Sequence, residues 1–528
     1  MEIVYWLAFA ATAVIAAAAS WVGWSLAWLC FQPRRLERKL RAQGLRGSRY
    51  RLPFGDIKDI GNLVGEARRK PQPLSHRIVD RVDPHLARFV DIYGGKNKAA
   101  FFWFGPYRPH PRVIIMDPEL VKSILSTKFG QFEKVKPTAI SRQLFVGLAV
   151  CEGEKWVKRR RIVSPAFHVE KLKIMMPAFS ACCDELISRW EDLADNVGVF
   201  ETNVWSEFQK LSGDIISRSA FGSSYNVGRR IFELLREQME LVMQASRNLY
   251  IPGFRFIPTQ KNKRRSKIHK EIVALLKIMI EQREHVIKKG EVVPNDLLGL
   301  LMESNQRHDQ EGDHLQDVNL TTNDVIEECK LFYFAGQETT SVLLTWTMIL
   351  LSMHPYWQDQ AREEVLQVFG QNKPTFEELN RLRILTMILY EVLRLYPPGV
   401  TLLRQTYKEV KLGEFTFPPE VQLVLPILLL HHSKEFWGED AEEFNPDRFS
   451  EGVSNATKNQ LIFFPFGWGP RICIGQSFAL IEAKMALARI LQRFSAELSP
   501  SYTHAPHTIL TLCPQHGAQV ILLKLPPL

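Results

Sequence analysis

Phe466-Gly-Trp-Gly469-Pro-Arg471-Ile-Cys473-Ile-Gly475 is the run on which the reading of this 528-residue chain turns. It sets a phenylalanine, glycines, an arginine and a cysteine in one tight loop, and helical spacing follows at once, from about Gln476 to Phe494. A thiolate needs help to stay ionised in apolar surroundings. A helix N-terminus, free backbone N–H groups and a nearby guanidinium supply it. Gly469 and Gly475 let the backbone turn sharply and come close to a flat ligand. Arg471 can pair with an acidic group of that ligand. Such a loop suits a thiolate bound axially to a haem iron. The competing reading is a buried structural cysteine beside a helix cap.

At Phe466, Gly469, Arg471, Cys473 and Gly475 the chain resembles the cytochrome P-450 monooxygenases, whose haem-binding signature has these fixed positions. The resemblance runs from about Pro33 to the C-terminus. It implies a mainly α fold with a small β portion, built as a single haem-centred catalytic domain. It also implies haem b as cofactor, Cys473 as the iron ligand, and Phe466 and Gly475 beside the haem.

The length allows a large core, and neither an internal repeat nor a long low-complexity linker divides it. A net charge of +10 is modest for this size and argues against nucleic acid as a partner. The seven cysteines are odd in number and scattered, without CxxC spacing, so a disulfide framework is not expected and a reducing compartment fits.

Residues 3–31 carry no charge. As a helix they would run about 43 Å, more than the ~30 Å apolar slab of a bilayer. Trp6, Trp21, Trp24 and Trp28 lie near the ends as interfacial anchors should. From Arg34 to Arg51 come eight basic residues and one acid, Glu37, which predicts a cytoplasmic body and a lumenal N-terminus. A cleaved signal peptide fits poorly, because no basic residue precedes a run that is too long. The expected organisation is a transmembrane anchor over 1–33 ended by Pro33, a basic hinge over 34–55 and a catalytic domain over 56–528. With the resemblance, this points to a single-pass protein of the endoplasmic reticulum membrane. The sequons at Asn319 and Asn455 should then be unmodified.

Short apolar runs at 101–104 and 112–116 read as strands, as do 410–417, 421–426 and 519–525. Helical spacing covers 324–353 and 355–369, and Thr375-Phe-Glu-Glu378 reads as a capping box opening a helix that runs to Tyr396. The stretch 305–323 is polar and loop-like.

The helix over 324–353 carries Ala335-Gly336-Gln337-Glu338-Thr339-Thr340 in its middle. A glycine there costs about 1 kcal/mol relative to alanine. A local rule broken without visible gain points to function. Ala335 and Gly336 would let a flat cofactor and dioxygen lie against the helix; Thr339 offers a hydroxyl to hold a water or reduced oxygen; Glu338 can deliver protons. The competing reading is a threonine bonding back to a carbonyl beside a solvent-facing glutamate. The family pattern of an acid followed by threonine matches Glu338-Thr339, which favours true monooxygenation.

The resemblance implies that Glu391, Arg394 and Arg448 form a buried charged lock near the cysteine loop. It also implies Trp156 and Arg160, from Trp156-Val-Lys-Arg-Arg160, as donors to the haem propionates, joined by Arg404 and Arg471. Lys158, Arg159 and Arg161 are expected to point outward as a basic patch that could steer an acidic electron donor. The basic run 261–270 is expected to face anionic lipid or solvent. Substrate walls are expected from 138–149, 244–256, 331–334, 399–403 and 508–512, mostly apolar runs that favour a bulky lipophilic substrate.

Residues 325–336, 391–398 and Pro514-Gln-His-Gly517 resemble one plant subfamily, which includes secologanin synthase and triterpenoid, gibberellin and steroid oxidases. The expected activity is hydroxylation of a terpenoid, sterol or iridoid by O2, with electrons from an NADPH-dependent flavoprotein reductase. A peroxide isomerase or dehydratase on the same fold, and a non-catalytic haem sensor, are the alternatives.

Overall fold

The computed structural model describes residues 2–52, 54–95, 98–105, 110–127, 130–138, 140–144, 146–222, 225–247, 257–289, 296–302 and 320–526. The chain gathers into two compact units. Most of the expected polar stretch 305–323, the part of the 244–256 wall beyond Arg247, and Asn319 lie outside the described residues.

The first unit comprises Met1–Lys70, Asp83–Glu133 and Leu403–Pro426. Its N-terminal helix Glu2–Leu26 is apolar all round and exposes Trp6, Trp21 and Trp24, as a lipid-facing helix would. It does not stop at Pro33. A π-helical turn, Ala27–Phe31, leads directly into the helix Gln32–Ala42. Pro33 falls in the first turn of that second helix, where a missing N–H costs nothing and the fixed φ suits the helix. Within the expected hinge, Arg46–Gly47 pairs in parallel with Ala100 and Phe101 at the edge of a six-stranded sheet. Next in that sheet come Ala99–Phe104, His110–Ile115, Gln422–Leu425, Leu402–Thr406 and Phe132–Glu133. Phe101, Phe102 and Trp103 are all buried, so this strand has no polar alternation to show. The strand expected over 410–417 is a hairpin, Val410–Leu412 with Phe415–Phe417, turned at Gly413 with φ +58°.

The second unit comprises Pro71–Val82, Lys134–Leu402 and Ile427–Leu528, and it is mainly helical. Its centre is the helix Thr322–Met353, about 48 Å long and buried through most of its length. A capping box of Thr321 and Asp324 opens it. The helix Val204–Phe221 packs along it, and Gly336 makes that approach possible, since a Cβ there would lie 2.9 Å from Ile216 Cδ1. The expected helix from 375 to 396 is two helices, Phe376–Leu379 and Arg383–Leu395. The Glu364 carboxylate accepts the N–H groups of Arg383, Ile384 and Leu385 at 2.6, 2.8 and 3.0 Å, capping the second from a neighbouring helix. A three-stranded sheet of Phe494–Leu498, Gln519–Lys524 and Val199–Asn203 closes the unit.

Candidate active site

Cys473 sits just before the helix Gln476–Arg493. Its N–H donates to Phe466 O at 2.8 Å, and the Gly467 N–H donates to Phe464 O at 2.9 Å, closing the loop on itself. Gly467 and Gly469 take φ of +73° and +71°, which only glycine adopts without strain. Gly475 does not: at φ −90° its backbone suits any residue. The turning work expected of Gly475 belongs to Gly467.

Cys473 lines a cleft with about 570 Å³ of atom-free space, open solvent included. Leu148, Ala149, Leu331, Phe332 and Ala335 give that cleft its apolar lining, and Lys134, Arg160 and Arg471 its cations. Burial pushes the Cys473 thiol up, while the Gly475 N–H and the charges of Arg160 and Lys134 act against it. A metal cation at the sulfur would tip this balance to the thiolate. One sulfur, an apolar slot and a cationic edge fit the donor set of a haem with its two carboxylates.

Three expected grips converge here. Arg160 Nη1 donates to Ile472 O at 3.0 Å, one residue before the cysteine. The Arg471 guanidinium lies 4.5 Å from the Trp156 ring centroid, and its Nη1 donates to Cys151 O at 3.0 Å. It also pairs with Glu152. Arg404 belongs to the first unit, where it is buried and donates to Leu403 O at 2.9 Å. Phe167 was missed: it stacks on Phe332 at 5.5 Å and lies 3.9 Å from a Cβ placed on Gly475.

Arg159 does not point outward. Its Nη1 meets Glu328 Oε1 at 2.6 Å and its Nη2 pairs with Asp324. Glu328 has no exposed surface and also accepts the Leu148 N–H at 3.0 Å. A buried carboxylate needs a cation, and Arg159 supplies it. Lys155 and Arg161 remain exposed on that helix.

On the long helix, Ala335 lines the cleft, and Thr339, one turn on, shares its face. The Thr339 hydroxyl donates to Ala335 O at 2.7 Å. Glu338 is buried and not solvent-facing; its Oε1 accepts the Thr511 hydroxyl at 2.8 Å. Burial pushes the Glu338 carboxyl up, with Thr511 and the charge of Arg236 opposing. Gly336, expected to face a cofactor, faces Ile216 instead. Of the expected wall run 331–334, Leu331 and Phe332 line the cleft, whereas Tyr333 turns away to stack on Phe221 at 4.1 Å.

Glu391 and Arg394 are joined by two contacts of 2.7 Å with no exposed surface on either side chain, and Arg448 Nε lies 3.5 Å from Glu391 Oε1. Arg394 also donates to His431 O, Ala441 O and Glu443 O at 2.8, 2.6 and 3.1 Å. The lock is thus a tie between a helix and the segment carrying Asn445–Phe449.

The family model described as cytochrome P-450 matches residues 96–522. The chain is 61% identical to CYP72A616, a cytochrome P-450 of Paris polyphylla, over 98% of this chain and 99% of that one. It is 49% identical to secologanin synthase 1 of Catharanthus roseus, over 98% of each. Among solved structures it is similar in fold to the retinoic-acid-bound cyanobacterial CYP120A1, with a TM-score of 0.74 at 20% identity, over 91% of this chain and 99% of that one.

Proposed function

The chain belongs to the cytochrome P-450 family of haem-thiolate monooxygenases, and on that premise we propose that it hydroxylates a lipophilic plant metabolite of terpenoid, sterol or iridoid type. Electrons would come from NADPH through a flavoprotein reductase, with O2 as co-substrate, at the endoplasmic reticulum membrane. The observation that carries this reading is the apolar cleft lined by both Cys473 and Ala335. Likeness to a secologanin synthase supports a plant natural product as substrate. The apolar N-terminal helix, long enough to span a bilayer, supports the membrane setting.

Haem, when bound, supplies the activation of dioxygen. The residues around it have separable tasks. Cys473 would ligate the iron. Trp156, Arg160, Arg404 and Arg471 would hold the acid groups, and Phe466 and Gly475 would border the macrocycle. Thr339 presents its hydroxyl oxygen, free to accept because its hydrogen is committed to Ala335 O. Burial pushes the Glu338 carboxyl above its ordinary range, which would suit it to pass protons beside Thr339. The apolar lining excludes bulk water from the reacting centre.

The test is expression in microsomes with a reductase and NADPH, with a panel of plant terpenoids and sterols read by mass spectrometry. Oxygenated product that needs NADPH, and a Thr339→Ala variant that consumes NADPH but yields peroxide in place of product, are expected. Turnover without NADPH would instead establish peroxide isomerisation or dehydration, and indifference to Thr339→Ala would indicate a sensor.

A further inference from the structure

We infer that His431 is a positioning residue for the cysteine loop: it carries the hold of the buried Glu391–Arg394 pair across to the backbone that presents Cys473. Its ring has no exposed surface. Nδ1 lies 3.1 Å from Arg394 O, and Nε2 lies 3.2 Å from the Phe464 N–H. The carbonyl can only accept and the amide can only donate. The ring is therefore neutral with its hydrogen on Nδ1, spanning two backbones as donor on one side and acceptor on the other. Burial supports this by pushing its pKa down to about 3. From the other direction, Arg394 Nη1 donates to His431 O at 2.8 Å, so residue 431 is pinned at both its backbone and its ring.

Beyond it the chain of contacts passes covalently through Phe464 and resumes at that residue's carbonyl. Phe464 O accepts from the Gly467 N–H at 2.9 Å, and Phe466 O accepts from the Cys473 N–H at 2.8 Å. Hydrogen bonds and short covalent steps through residues 394, 431 and 464 thus join the helix of the ion pair to the amide of the cysteine itself. The ring also stacks on Phe463 at 5.2 Å and meets Phe464 edge-on at 5.9 Å, fixing the strand of chain that enters the loop. Neighbouring His432 is also buried but faces elsewhere, its Nε2 donating to Leu395 O at 2.8 Å. The consequence for the iron rests on the haem-thiolate reading; the linkage itself does not.

The test uses the full membrane-anchored protein. His431→Phe keeps a buried ring but removes both bonds. His431→Asn is shorter, so it can still donate to Arg394 O but leaves the Phe464 N–H unbonded. His432→Phe is the matched control. Two quantities are read: deuterium uptake of the segment 464–473, and the fraction of the ferrous–carbon monoxide complex in the thiolate-ligated form. Uptake at least ten-fold faster in both His431 variants, with the thiolate-ligated fraction at least halved and both quantities near wild type in His432→Phe, is expected. Should His431→Phe not fold, His431→Asn alone decides by the same criteria. Uptake and thiolate fraction no different from His432→Phe overturn the proposal. An unsubstituted protein without haem sinks the haem reading instead, and uptake still tests the linkage.

Discussion

The Thr511 hydroxyl donates to Glu338 Oε1 across 2.8 Å, tying the acid of the long helix to a residue 173 positions away. That hydrogen bond and the charge of Arg236 oppose the burial that pushes the Glu338 carboxyl up. Thr511→Val preserves shape and deletes that bond, leaving the carboxyl unsatisfied. It should cost about 1–3 kcal/mol of stability. Product formed per NADPH consumed should also fall, since the proton store is displaced. Thermal unfolding and a product-to-NADPH ratio check the two effects, and an unchanged ratio would remove Glu338 from the proton route.

Arg159 is set by Glu328, and its replacement should be felt in stability. Arg159→Ala strands a carboxylate with no exposed surface and should cost roughly 3–5 kcal/mol, while Lys155→Ala, on the exposed face of the same helix, should stay within about 0.5 kcal/mol. Arg159→Lys should recover little, because one ammonium cannot fork to Asp324 and Glu328 together. Urea denaturation of the three variants decides this; equal midpoints would mean that the pair is dispensable.

These two residues show what the sequence could and could not reveal. The cysteine loop before a helix and the Glu391–Arg394 pair could be read from a few adjacent positions; at Thr339 the hydroxyl bonds back to Ala335 O, as the competing reading had it, while Glu338 is buried, as it had not. Arg159 was misread because a cation on a basic helix looks solvated until its partner, 169 residues on, is seen. Glu364 capping a helix from a neighbouring one, and Pro33 beginning a helix that it was expected to end, failed for the same reason. In each case a tertiary partner or a π turn supplied what local propensity lacked. Gly336 was noticed correctly as a broken rule, yet its cause is a helix crossing at Ile216.

That crossing yields a further expectation. Gly336→Ala gains helix propensity but brings a Cβ to 2.9 Å from Ile216. Overpacking of this kind should cost about 1–3 kcal/mol, outweighing the ~1 kcal/mol gain. Shortening the partner by Ile216→Ala should make the double variant less destabilised than the sum of the singles. A double-variant cycle by denaturant unfolding checks it, and strict additivity would show that the two do not meet.

Glu482, on the helix that follows Cys473, has no exposed surface, and its polar neighbour is the Ser212 hydroxyl, too poorly placed for a well-formed hydrogen bond. Burial pushes its pKa up to about 8. The folded state then holds a proton that the unfolded chain releases near its ordinary value, so this group makes stability fall as pH rises from about 4.5 to about 8. Glu482→Gln should remove that slope, so its advantage over the unsubstituted protein should grow between pH 5 and 8. Parallel stability curves would show that the carboxyl is ionised at neutral pH.

The account depends most on the sulfur of Cys473 as the iron ligand. Reduced Cys473→Ser protein under carbon monoxide, compared with the unsubstituted chain at equal folded concentration, tests it most directly. Loss of the thiolate-type absorption band in the variant and its presence in the unsubstituted protein are the predicted result. A variant that keeps the band would contradict the assignment and place the ligand elsewhere.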